Sequence, residues 1–178
     1  MQTPKKIKLA KVNYANLIGI EQKNIVSNLQ ELKKFIKLSN LEIFIAEEYI
    51  NGNECTISSL GNGKKTIILP ILWYKNTKKI KVLTYDAKWV KTSEAYRSYK
   101  KIMGDPEKIH LDLMKKINKS FNIKDYSKAD FIEKNNIYYL IDISPNPTLT
   151  KDSAFVEQFL YRFKKLELLI PTLLKYSQ

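Results

Sequence analysis

Apolar residues recur in two rhythms along this chain. Over residues 24–38, Ile25, Leu29, Leu32 and Ile36 fall at intervals of three and four against a polar opposite face. That spacing predicts an amphipathic helix, ended by Ser39-Asn40. From Leu41 to Asp86 the rhythm shortens into β-rich runs, EIFIAEEYI, ECTISSL, KTIILPILWY and KIKVLTY, separated by NGN, GNGK and KNTK. Gly and Asn in the separators are turn formers, so the runs read as antiparallel strands of a meander. Pro70 is expected at a strand edge or a bend. The polar segment VKTSEAYRSYKKIMG is only weakly periodic. DPEKIHLDLMKKINKSF then predicts a long helix after Asp105, with an aspartate cap and a first-turn proline. KADFIE and NIYYLIDI, at 128–133 and 136–143, read as two strands joined by a tight turn at Lys134-Asn135, and PNPT ends the sheet. From about Asp152 the chain reads as helix, with Pro171 bending or ending it. Helix, strands, connector, helix, hairpin, loop and helix make an α+β chain without internal repeats.

Length and composition narrow the class. The 178 residues are 44% hydrophobic and 28% charged, enough for one substantial core or two small lobes and unlike a disordered chain. No run of about 18 apolar residues is present and no apolar signal core follows MQTPKKIKLAK, so the expectation is a cytoplasmic protein that does not enter a membrane. The single cysteine, Cys55, cannot form an internal disulfide, and its strand setting reads as a small core or face residue. The formal charge of +13 is compatible with nucleic acid, an anionic surface or a polyphosphate. The lysines are scattered through every segment, however, which reads as a solvated surface and disfavours a nucleic-acid partner.

Chemistry concentrates in acidic positions. Asp130 in KADF and Asp142 in YYLIDIS are carboxylates among residues expected to be buried, a costly placement unless they are paired or metal-bound. Adjacent antiparallel strands can bring both to one face and offer oxygen ligands to Mg²⁺. The alternative is that they lie at strand ends in solvent. Glu47 and Glu48 should point to opposite faces of one strand and Glu54 opens the next; surface charge accounts for all three. Lys88, expected just after a strand, could reach a phosphate as a point charge or be solvated. The only histidine, His110, lacks an accompanying Ser, Cys or carboxylate motif and is expected on the outward side of its helix.

The order of these signals resembles the ATP-grasp ligases of the D-alanine–D-alanine ligase type. AEEYINGNECTISSL is similar to the segment that cradles adenosine, and TYDAKW to the Tyr-Asp-Lys segment that follows it. KADFIEKNNIYYLIDISPNPTLTKDSAF is similar to the closing run Arg-x-Asp-Phe, hairpin, Glu-x-Asn, Pro-Gly-Met-Thr-like turn and Ser. Together these cover residues 41–160. The resemblance implies an ATP-grasp fold of antiparallel sheets and packed helices in two lobes around a nucleotide cleft. Residues 1–40 would be a partial small lobe with a degenerate phosphate loop, and 41–178 a core with a metal-binding hairpin. It further implies an ATP- and Mg²⁺-dependent carboxylate–amine ligase that forms an acylphosphate and then an amide. Glu47 and the backbone of Glu48, Tyr49 and Ile50 would face adenine, Glu54 the ribose, and Lys8 and Lys88 the phosphates. Asp130, Asp142 and Ser144 would hold Mg²⁺. Lys128 would stabilise the tetrahedral intermediate, and Ser153 would hold the carboxylate of a small incoming amino acid.

Several positions depart from the family pattern. Asp142 stands where the family has Glu, Ser144 where it has Asn, Lys128 where it has Arg, and Thr148 where it has Gly. Each weakens a ligand, a planar fork or an oxyanion donor. NYAN before LIGI keeps only Gly19 of a glycine-rich phosphate loop. The family's amino-terminal α/β domain is not recognised, so the resemblance implies either a fragment of a longer ligase or a stand-alone degenerate domain, with the missing domain or an oligomer partner as the expected complement. Three functions remain open at this point: a ligase domain, a catalytically inactive ATP-grasp binding module, and a basic nucleic-acid binder resting on charge alone.

Overall fold

A computed structural model describes residues 7–11, 25–39, 44–61, 66–76 and 81–176. The chain divides into two compact units, one formed by 1–52 with 76–99 and the other by 53–75 with 100–178.

The first unit contains a three-stranded antiparallel sheet. Its central strand is β1 (Ile7–Lys11), flanked by β2 (Ile25–Val26) and β3 (Phe44–Glu48). Helix α1 (Leu29–Ser39) starts later than its apolar periodicity does, because Ile25 and Val26 are taken into β2. Asn28 Oδ1 accepts the Glu31 N–H at 2.9 Å, and Glu31 Oε2 accepts that of Ser27 at 2.6 Å. Two of the unpaired amides at the helix start are thereby satisfied. Two short helices, α2 (Tyr85–Trp89) and α3 (Glu94–Arg97), begin on Thr84 and Ser93, whose hydroxyls accept amides of Ala87 and Tyr96.

Two expectations for this region change. Within the described part of KIKVLTY the expected last strand of the meander is not formed: residues 81–84 are irregular and Tyr85 already opens α2, where the Thr84 cap outweighs the apolar alternation. The strand β3 pairs with β1 instead of with the next strand in sequence.

The second unit is built on a six-stranded sheet in which β7 (Tyr99–Gly104), β6 (Ile71–Asn76), β4 (Asn53–Leu60), β8 (Tyr126–Lys134) and β9 (Ile137–Ser144) follow in spatial order. The short β5 (Ile67–Ile68) pairs with the far end of β4. Leu69-Pro70 separates β5 from β6, so Pro70 sits at a bend, as its missing N–H requires.

Alternation along β4 sorts the two faces. Cys55 and Ile57 join Ala129, Phe131, Ile71 and, from α4 (Lys108–Ser120), Met114 and Ile117 in one core. On the opposite face Leu60 and Leu69 pack with Phe155, Val156 and Phe159 of α5 (Ala154–Phe163) and Leu169 of α6 (Leu169–Tyr176). Each buried aromatic or aliphatic side chain contributes about 1.5–3 kcal/mol, and these two apolar layers hold the sheet.

Helix boundaries also differ from the sequence pattern. Helix α4 is capped by Glu107 and not by Asp105. His110 is turned inward and buried: its Nδ1 accepts the Glu107 N–H at 2.9 Å, and its Nε2 lies 2.8 Å from the Tyr138 hydroxyl. Because Nδ1 accepts, the neutral ring carries its proton on Nε2 and donates it to Tyr138. The expectation of an outward histidine fails because its two ring nitrogens supply the partners that a polar group needs inside. The last helix breaks at Lys164, which takes a left-handed conformation at φ 64°, and not at Pro171. Pro171 lies in the first turn of α6, where no intrahelical bond is lost. Among the described residues no helix is long and apolar enough to cross a membrane.

Candidate metal and phosphate site on the β8–β9 hairpin

The hairpin that carries both aspartates is set by its turn. Asn135 and Asn136 both have positive φ, 55° and 63°, the combination that a two-residue turn between twisted strands demands and that asparagine tolerates. From that turn the register runs up the strands to place Asp130 opposite Asp142 and Lys128 opposite Ser144. Since alternate residues share a face, these four side chains form one patch. Below it the register shifts between Asp130 and Phe131, so that Phe131 pairs with Leu140 and Ile141 is the extra residue of a bulge. The bulge turns Tyr138 to the α4 face, where it meets His110, while Asp142 stays on the opposite one. Without it the two could not both hold their positions.

Asp130 is the best-tethered member of the patch. Its Oδ1 accepts the Thr56 hydroxyl at 2.7 Å and its Oδ2 accepts the Lys128 ammonium at 2.5 Å, with both ionised side chains about one-fifth exposed. Asp142 is more open and its Oδ2 lies 3.5 Å from the Ser144 hydroxyl. The alternatives of burial and solvent for the two aspartates thus both occur, one at each strand. The donor set is oxygen only: two carboxylates at paired positions and a hydroxyl. Among the described residues no group of three or more His, Cys, Asp or Glu gathers as a metal site. Such a set fits a hard cation of the Mg²⁺ kind, which uses one or two carboxylates and leaves its other positions to water and phosphate oxygens.

Glu54, Thr56 and Ser58 alternate along β4 on the same face. Ser58 Oγ donates to Gln158 Oε1 at 2.6 Å, and Gln158 Nε2 donates to the carbonyls of Thr56 and Pro70 at 3.0 and 2.6 Å. The buried Gln158 therefore straps α5 to β4 and to the bend before β6. Tyr74, the register partner of Glu54, has its phenol pushed well above its ordinary pKa by burial, and further by the charges of Asp130, Glu54 and Glu157. Glu157 in turn pairs with Lys101 at 2.8 Å. Ser153 caps α5: its Oγ donates to the Thr148 carbonyl at 2.7 Å and accepts the Val156 N–H at 3.4 Å.

The remaining predicted positions belong to the first unit. Lys8 and Glu47 are register partners on β1 and β3, and Glu47 and Glu48 are both exposed. Tyr49 is buried; its hydroxyl donates toward Asn51 Oδ1 and the Lys81 carbonyl and accepts the Lys81 N–H at 2.8 Å, which ties the end of β3 to the segment before α2. Ile50 accepts the Gly52 N–H at 3.2 Å through its carbonyl. Lys88 is exposed on α2, within a helix and not just after a strand. The NYAN segment and Gly19 lie outside the described residues. The fold therefore brings Lys128, Asp130, Asp142 and Ser144 together in one patch. Glu54 and Ser153 stand in the same unit, and Lys8, Glu47, Glu48, Tyr49, Ile50 and Lys88 stand in the other.

Residues 12–175 match the family model described as D-ala D-ala ligase C-terminus. The chain belongs to this family. Curated relatives include the D-alanine–D-alanine ligase of Flavobacterium psychrophilum, 28% identical over 144 residues that make up 81% of this chain and 43% of that protein. The D-alanine–D-alanine ligase of Petrotoga mobilis is 30% identical over 136 residues, 71% of this chain and 43% of the relative. The chain thus spans less than half the length of these relatives. Among solved structures, D-alanine–D-alanine ligase from Bacillus anthracis superposes with a TM-score of 0.67 at 18% identity, over 97% of this chain and 54% of that one. The VanG D-Ala:D-Ser ligase of Enterococcus faecalis superposes with a TM-score of 0.62 at 15% identity, over 99% and 50%. The fold of this D-ala D-ala ligase C-terminal family member is accordingly α+β and ATP-grasp.

Sequence reasoning missed Thr56, Tyr74 and Gln158. The strand period puts Thr56 on one face with Glu54 and Ser58, but only the pairing of β4 with β8 brings Asp130 to it. Gln158 and Tyr74 join the patch only through tertiary packing.

Proposed function

We propose that this chain is the nucleotide- and metal-binding part of an ATP- and Mg²⁺-dependent carboxylate–amine ligase of the D-alanine–D-alanine type. The observation that carries the reading is the paired placement of Lys128, Asp130, Asp142 and Ser144 on one hairpin face, in a chain of this family. Asp130, Asp142 and Ser144 would hold Mg²⁺, which neutralises phosphate charge. Lys8 and Lys88 add cationic charge for the phosphates. Glu47 and the backbone of Glu48, Tyr49 and Ile50 are assigned to adenine, and Glu54 to the ribose.

In the reaction, an oxygen of the first substrate's carboxylate bonds to the γ-phosphorus of ATP as the β–γ bridging P–O bond breaks and ADP leaves. The amine of a second small amino acid then attacks the acyl carbon, phosphate departs, and the nitrogen loses a proton. Lys128 stabilises the oxyanion and Ser153 holds the carboxylate of the incoming amino acid. Positioning and charge neutralisation account for most of such a rate enhancement.

A second reading, a binding module without turnover, has its own support. Both oxygens of Asp130 already accept protein donors, and the hydroxyl of Ser153 is engaged by its own helix and by Thr148. The deciding measurement is ADP release from Mg-ATP with a panel of amino acids including D-alanine. Amino-acid-dependent release that is lost in Asp142→Ala supports the ligase; nucleotide binding with no release for any amino acid supports the module; neither binding nor release overturns both.

A further inference from the structure

Thr56 occupies the middle of β4, between Leu72 of β6 on one side and Asp130 of β8 on the other, and Asp130 is itself opposite Asp142. The three positions Thr56, Asp130 and Asp142 therefore form one row across three strands. Thr56 is 3% exposed and its hydroxyl donates to Asp130 Oδ1 at 2.7 Å. A threonine hydroxyl has one proton to give. That proton is committed to Asp130.

Its consequence is orientational. The outer torsion of an aspartate is broad, so a carboxylate on a strand can rotate unless both oxygens are held. Thr56 holds one oxygen of Asp130 and Lys128 the other, from opposite ends of the group. This fixes the carboxylate plane and leaves the remaining lone pairs for a cation. Outer hydrogen bonds of this kind orient metal ligands and set their basicity.

We infer that Thr56 is the positioning residue of Asp130 as a cation ligand, which rests on the assignment of Asp130 to the metal site proposed above. Thr56→Val keeps the shape of the side chain and removes the donor; Thr56→Ser keeps the donor. The test is a titration of the full chain with Mn²⁺, followed by electron paramagnetic resonance in the presence of a non-hydrolysable ATP analogue, with circular dichroism to verify folding. Thr56→Val is expected to weaken Mn²⁺ binding by about tenfold to a hundredfold, and Thr56→Ser to restore it. Equal Mn²⁺ affinity in Thr56→Val and wild type, with binding abolished by Asp130→Asn, overturns the inference and leaves the metal assignment standing. Failure of Thr56→Ser to rescue also overturns it, since packing would then explain the loss. A wild-type chain that binds no Mn²⁺ overturns both. Should Thr56→Val not fold, Thr56→Ala carries the test: weaker Mn²⁺ binding that Thr56→Ser restores supports the inference, and unchanged binding overturns it.

Discussion

At the scale of single residues, Lys128 and Asp142 make opposite demands on the same cation. Asp142 is exposed and makes only a long contact to Ser144, so little of the fold depends on it. Asp142→Ala is expected to abolish the Mg²⁺ dependence of ATP binding in calorimetry while changing stability by less than about 0.5 kcal/mol. Lys128 places an ammonium on Asp130 and thereby opposes a second cation there. Lys128→Met is therefore expected to tighten Mn²⁺ binding in the same spectroscopic titration and to lower any ADP release, a separation that loss of structure would not produce. The aspartates were legible as sequence because a charge in an apolar strand is conspicuous, and Lys128 only through the family resemblance. Thr56 was not, because a threonine in a strand has ordinary β propensity and nothing in its type announces a partner 74 positions away.

Elements were legible where the periodicity was long, and shifted where a cap or a special dihedral decided the boundary. The α4–β9 contact shows both. Apolar spacing located α4, yet the inward turn of His110 depends on Glu107 and Tyr138 and could not be read from the helix pattern. Burial lowers the His110 pKa below its ordinary 6.5, against the opposing influence of Glu107. The unfolded chain then binds the proton more readily than the folded one. The stabilisation is fully present above about pH 6.5 and is lost as pH falls through the lower, folded-state value. His110→Gln, which keeps an acceptor for Glu107 and a donor for Tyr138 without titrating, is expected to flatten the fall in the urea midpoint between pH 7.5 and pH 5.5. The strap from α5 makes a second element-scale prediction. Gln158→Leu deprives the Ser58 hydroxyl and the Thr56 and Pro70 carbonyls of a buried partner, and should destabilise the chain by about 3 kcal/mol in urea unfolding.

For the whole molecule, the proposed function predicts a ligand effect on stability. Mg-ATP at about one hundred times its dissociation constant should stabilise the folded chain by about 2.7 kcal/mol, a rise in Tm of about 5–10 °C. The rise should survive moderate salt, whereas any nonspecific retention on nucleic acid driven by the charge of +13 should fall steeply with it. The sequence by itself determined the α+β class, the family through its motif order, and the hairpin with its two aspartates, because hydrophobic period and turn residues act locally. Tertiary structure alone decided that β3 joins β1, that residues 81–84 form no strand, and that a bulge at Ile141 sends Tyr138 and Asp142 to opposite faces. It also decided that Thr56 and Lys128 converge on Asp130. These outcomes rest on pairing and burial between residues far apart in the chain, where the free energy belongs to the contact and not to either residue alone.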